Sequence, residues 1–171
     1  MRIDTSEDYF QVGLQRMRQA WNLYNEVQGG SYALAMYVSG VAVECLLLAF
    51  KRRRDATFDE KHDLRRLLKA SGMLEFLPET LVARGMSEEQ VSIRFREFQA
   101  DLNDIYDLWS NEYRYASETR LRSHLKSQGR VRGIKGDILK AQTLALLTAS
   151  QRFMDKGVLQ WKVLSKKSRK S

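Results

Sequence analysis

Apolar residues recur along most of this chain at steps of three and four, the spacing of one face of an α-helix. Phe10, Leu14, Met17, Trp21 and Tyr24 make the first such face, with Gln15, Arg16, Arg18, Gln19 and Asn22 outside it. Thr5 or Ser6 can cap this helix, and Glu7 and Asp8 suit the positive end of its dipole. Gly29 and Gly30 then let the chain reverse. The next stretch, SYALAMYVSGVAVECLLLAF at residues 31–50, carries two stripes: Leu34, Val38, Val41, Cys45 and Leu48, and Met36, Gly40, Val43, Leu47 and Phe50. A helix apolar on two sides belongs in the middle of a bundle or across a membrane. Its length would span a bilayer, and Lys51, Arg52, Arg53 and Arg54 follow it like a positive flank. Glu44 inside it argues against lipid, costing about 2.5–3.5 kcal/mol if central. Complementary stripes elsewhere need a partner, so the expectation is a central bundle helix and no membrane.

The stretch KHDLRRLLKASG predicts a short amphipathic helix with Leu64, Leu67 and Leu68 inside and Gly72 as its stop. Residues 73–85 read as a second short piece around Pro78. Ser87, three residues ahead of Gln90, makes a capping box. Behind it Val91, Phe95, Phe98, Leu102, Ile105 and Trp109 form the longest regular stripe. NEYRYAS interrupts the pattern, a short basic helix is expected over residues 118–126, and a loop follows with Gly129, Gly133 and Gly136. Asp137 can cap a last helix to about Lys156, burying Ile138, Ala141, Ala145 and Thr148 with Leu144 and Leu147 alongside. Gly157 is expected to stop it and Trp161 to fold back, with residues 161–171 a disordered basic tail. The predicted fold is therefore all-α: an antiparallel up-and-down bundle of four to five helices with short extra helices, in one domain over residues 1–160.

Composition supports that picture and adds an asymmetry. A chain of 171 residues with one proline can hold a core and disfavours a sandwich or barrel. The sole cysteine, Cys45, cannot form an internal disulfide, and MRIDTSEDYF is polar where a signal peptide would be apolar, so the cytoplasm is the expected compartment. Net charge is +8, yet residues 1–119 hold 15 Lys/Arg against 19 Asp/Glu, and residues 120–171 hold 14 against 2. The last third is a basic field that can attract phosphates.

Nucleotide-loop and zinc motifs are missing from the sequence, so no metal or cofactor is called for. An acid inside an apolar helix needs a partner, and His62, Asp63 and Arg114, at the ends of neighbouring elements, are candidates to reach Glu44. Arg114 stands between Tyr113 and Tyr115, a combination suited to base stacking with phosphate neutralisation. Arg120 and His124 share one face if their segment is helical. There the histidine can move a proton in RNA cleavage while arginine stabilises phosphate charge.

These residues resemble a known pattern. SYALAMYVSGVAVECLLLAF, then KHDLRRLL and LWSNEYRY, is similar to the HEPN (higher eukaryotes and prokaryotes nucleotide-binding) domain family. Gly40 and Glu44 match its small residue and acid in the second helix, His62-Asp63-Leu64 matches one branch, and Arg114-Tyr115 matches its later Arg-Tyr pair. The late Gly136-Asp137 helix and Trp161 suit the same branch. The resemblance implies an up-and-down bundle, often a homodimer, that works around nucleotides or RNA. Some members are metal-independent endoribonucleases with an R-x4–6-H motif; others partner minimal nucleotidyltransferases in toxin–antitoxin or defence systems. Here Arg114 precedes His124 by ten positions and Arg120 by four, outside that spacing. A nucleotide- or RNA-binding or regulatory module with Glu44, His62, Asp63, Arg114 and Tyr115 as ligand residues is the expectation. The alternative is a ribonuclease using Arg114, Arg120 and His124.

Overall fold

Helix starts in this protein are set by single residues. In the computed structural model, which describes residues 5–26, 30–55, 63–130 and 133–168, the elements are α1 (Ser6–Asn25), α2 (Tyr32–Arg54), α3 (Leu64–Ser71), α4 (Met73–Val82), α5 (Glu88–Leu108), a 3-10 helix (Asn111–Tyr115), α6 (Glu118–Ser127) and α7 (Ile138–Ser168). No strand occurs among the described residues. Thr5 accepts from the Asp8 amide while the Asp8 carboxylate accepts from the Thr5 amide. Ser87 and Gln90 repeat this exchange ahead of α5. Ser31 caps α2, and Asp63 accepts from the Arg65 and Arg66 amides to open α3. Gly72 ends α3 at a φ of 70°, and a Cβ there would stand 2.0 Å from an Arg54 guanidinium nitrogen. The left-handed backbone is what calls for glycine, since the Arg54 end can turn aside.

Helix α2 is the element on which α1, α3, α7, the 3-10 helix and α6 all pack. Met36, Gly40, Val43, Leu47 and Phe50 are buried, as one of its two stripes predicts. The other stripe is partly open: Leu34 is 42% exposed, and Val38, Val41 and Leu48 are half-buried. The helix is long and apolar enough to cross a membrane, and 67% of its most apolar window is buried within the fold. Protein neighbours occupy the place lipid would take. Gly13 lets α1 approach, since a Cβ would meet the Ala42 carbonyl at 3.1 Å. Trp161 of α7 closes the centre. It stacks on Phe10 at 4.7 Å, sets an edge on Phe50 at 5.2 Å, and donates its indole N–H to Glu7 at 3.1 Å.

The end of the chain departs from expectation. Helix α7 continues through Gly157 to Ser168, and Trp161 is buried within it instead of folding back from a tail. Gly157 serves close packing, because a Cβ would lie 2.4 Å from a Leu46 methyl. The cost of glycine in a helix, about 1 kcal/mol relative to alanine, does not outweigh that contact. The buried side is also rotated. Leu139, Thr143, Leu146, Ser150, Phe153 and Met154 join Ile138 and Leu147 inside, whereas Leu144 and Ala145 are exposed and Ala141 and Thr148 half-buried. Opposite them Asp101 of α5, only 2% exposed, accepts from Arg152 at 2.6 Å and Lys156 at 2.7 Å. Two cations offset the desolvation of that one carboxylate.

Candidate functional site

Aromatic residues carry the site past the end of α5. Tyr106, Trp109 and Tyr113 continue at steps of three and four across the junction into the 3-10 helix, where Ser110 is extended and accepts from the Glu112 amide. Trp109 donates its indole N–H to the Tyr37 carbonyl of α2 at 3.1 Å. Its ring lies on Gly40, where a Cβ would stand 1.9 Å from Nε1. The small residue in α2 is therefore a seat for the tryptophan.

Helix α6 faces this aromatic row and is fixed at both ends. Ser117 caps it, and Glu118 accepts from the Tyr32 amide at the start of α2 at 2.7 Å. Arg122 grips Asp137, the cap of α7, with two nitrogens. That pair draws the Asp137 carboxyl below its usual range and raises the guanidinium. With Leu121 and Leu125 buried, Arg120 and His124 stand one turn apart on the side of the aromatics. Between the two walls lies a cleft of about 720 Å³ lined by Trp109, Tyr113, Tyr115, Arg120 and His124, within the size range of small-ligand sites.

Three details define its chemistry. Tyr115 is 74% exposed, and the Arg114 guanidinium lies over its ring at 4.5 Å. His124 Nε2 is 3.0 Å from the Gln128 side-chain nitrogen. Tyr113 sets its ring edge-on to His124 at 6.4 Å, and burial raises its phenol above the ordinary tyrosine value. Of the acids in the lining, Asp107 is 3.8 Å from Arg130, while Glu112 is exposed.

A shallower hollow of about 350 Å³ adjoins the cleft and shares Tyr106 and Trp109 with it. Its other wall is the start of α3, where Arg65 stacks over Tyr106 at 4.3 Å. Burial pushes the Tyr106 phenol up to about 12 despite that cation, so it stays a hydrogen-bond donor at neutral pH.

The structure thus brings Arg120, His124 and Tyr115 to one cleft, with Arg114 beside it and Asp63 in the adjoining hollow. Asp63 and Arg114, expected to reach Glu44, are engaged elsewhere: Asp63 in the first turn of α3, Arg114 on Tyr115. Glu44 lines neither hollow. It is buried on α2 beside Cys45, whose thiol is pushed up to about 11 by burial and by the Glu44 charge, with Arg16 opposing. His62 lies outside the described residues. Tyr106, Trp109, Gln128 and Arg65 were not anticipated. An aromatic stripe outlasting its helix was the signal for the first two. No group of three or more His, Cys, Asp or Glu able to hold a metal occurs among the described residues. No family model, curated protein or solved structure matches the chain.

Proposed function

We propose that this chain is a HEPN-like module that binds a nucleotide or RNA in the cleft between the 3-10 helix and α6. The observation that carries this reading is the exposed Tyr115 ring, backed by Arg114, at the rim of a cleft that also presents Arg120 and His124. A base stacks on the tyrosine, and Arg120 meets its phosphate. A stacked base is worth about 1–3 kcal/mol. The basic last third of the chain strengthens attraction of the anion at a distance. An antiparallel up-and-down course, a homodimer, a cytoplasmic setting and a minimal nucleotidyltransferase partner in a toxin–antitoxin or defence system belong to the same proposal, on the resemblance alone.

Calorimetry with AMP and with short single-stranded RNA tests it. Tyr115→Ala is expected to weaken binding about 5- to 150-fold, and Arg114→Ala by less, since an exposed cation–π contact is worth about 0.5–1 kcal/mol. No binding of either ligand by the folded wild type would refute the reading.

Arg120 and His124 sharing one cleft favours a second reading, a metal-independent ribonuclease. The histidine would take a proton from a 2′-hydroxyl while arginine holds the phosphate. His124 Nε2 is already engaged by the Gln128 side chain at 3.0 Å, so the binding reading is preferred. RNA cut in the presence of chelator by the wild type and left whole by His124→Ala would reverse that preference.

A further inference from the structure

We infer that the site takes a strand of two or more nucleotides rather than a mononucleotide, running from the Tyr115 cleft across Tyr106 and Trp109 to Arg65. This rests on the nucleotide-binding reading above and concerns how far the ligand extends. The cleft and the hollow beside it adjoin, with Tyr106 and Trp109 lining both. Each end carries the same device, an exposed arginine with its guanidinium over a tyrosine ring: Arg114 over Tyr115 at 4.5 Å and Arg65 over Tyr106 at 4.3 Å. A guanidinium held over a ring without a carboxylate partner keeps N–H donors that can meet a phosphate. Among the described residues, no carboxylate pairs with Arg65, Arg114 or Arg120.

Of the acids nearby, Glu112 is exposed in the lining and the other two are engaged elsewhere. Asp63 accepts from two α3 amides and lies 3.6 Å from Arg66, and Asp107 lies 3.8 Å from Arg130. Two phosphate-competent arginines at opposite ends of an aromatic-walled depression match the repeat of a single strand, with charges along the backbone and bases between them. A lone nucleotide in the Tyr115 cleft leaves the Arg65 end without a partner.

The test is calorimetry with AMP, ATP and the RNA tetranucleotide rA4 over a salt series. The expected result is rA4 binding at least about tenfold tighter than AMP, with ATP close to AMP despite its added charge. Arg65→Gln is expected to erase most of the rA4 advantage and lower its log–log salt slope by about 0.7, one single-strand phosphate contact. Equal binding of AMP and rA4 by the wild type, or an rA4 advantage that survives Arg65→Gln, would overturn the extended path while leaving the nucleotide reading intact. So would an equal loss of AMP and rA4 in the variant, which would mean that Arg65 acts only through Tyr106. Failure of all three ligands to bind would overturn the reading beneath it. Arg65 is exposed, and thermal melting checks that the variant is folded.

Discussion

Gly40→Ala should destabilise this protein by about 1–3 kcal/mol, although alanine is the better helix former. An added Cβ would stand 1.9 Å from Trp109 Nε1 and 2.1 Å from Cδ1 and Cε2, where ordinary contact begins at 3.4 Å. The indole must therefore retreat by about 1.5 Å, judged from those distances. That strains the packing by about 1–3 kcal/mol and breaks the hydrogen bond to the Tyr37 carbonyl, worth about 0.5–1.5 kcal/mol. Against these stands about 1 kcal/mol gained by replacing glycine in a helix. For a domain of this size, a loss of about 2 kcal/mol lowers Tm by about 4–8 °C. Urea unfolding followed by Trp fluorescence measures it, and Trp109→Leu in the same background should recover part of the loss. A Gly40→Ala protein as stable as the wild type, or more so, would refute the seating of Trp109 on Gly40.

Asp101→Asn should cost about 2–4 kcal/mol, because it strips the counter-charge from Lys156, only 17% exposed, while Arg152 at 54% can turn to water; the denaturant midpoint should fall with an unchanged m-value. Asp137→Asn should lower stability at about pH 7, and the gap to wild type should close in acid. Arg122 and the α7 amides depress the folded-state carboxyl below its ordinary 3.8, so its contribution is present above that value and lost as pH falls through the folded one. Melting curves at neutral and strongly acid pH show the sign. Cys45, with its thiol near 11 and 9% exposure, should hold about a thousandth of its population as thiolate at pH 8; iodoacetamide labelling should be negligible when folded and rapid in denaturant.

What could be read from the sequence was mostly local. Thr5, Ser87, Asp137 and Gly72 each act within a few residues of themselves, so their capping roles followed from spacing alone. Arg120 and His124 shared a face because an i, i+4 pair always does. The register of α7 was not legible, because Thr143, Ser150 and Gln160 are polar yet fully buried and break up the stripe. Gly157 read as a stop for a related reason: only the Leu46 side chain, far away in sequence, makes glycine useful there. Nothing local marks Asp101 for burial, because its partners Arg152 and Lys156 come from α7.

Trp109 joins these two levels. It belongs to the apolar stripe of α5, which is why it read as core, and it also lines both halves of the proposed binding depression. Its position is fixed from behind by Gly40 and the Tyr37 carbonyl, both on the central helix. Helix α6 is tied to the same helix through Glu118 and the Tyr32 amide. The two walls of the cleft are thus referenced to one rigid element, the condition for holding a stacking ring and a phosphate donor in register. A substitution at Gly40, buried beneath Trp109, should therefore shift binding at Tyr115 and Arg65 together. A substitution at the Arg152 and Lys156 end of α7 should lower stability and leave binding by the remaining folded protein unchanged.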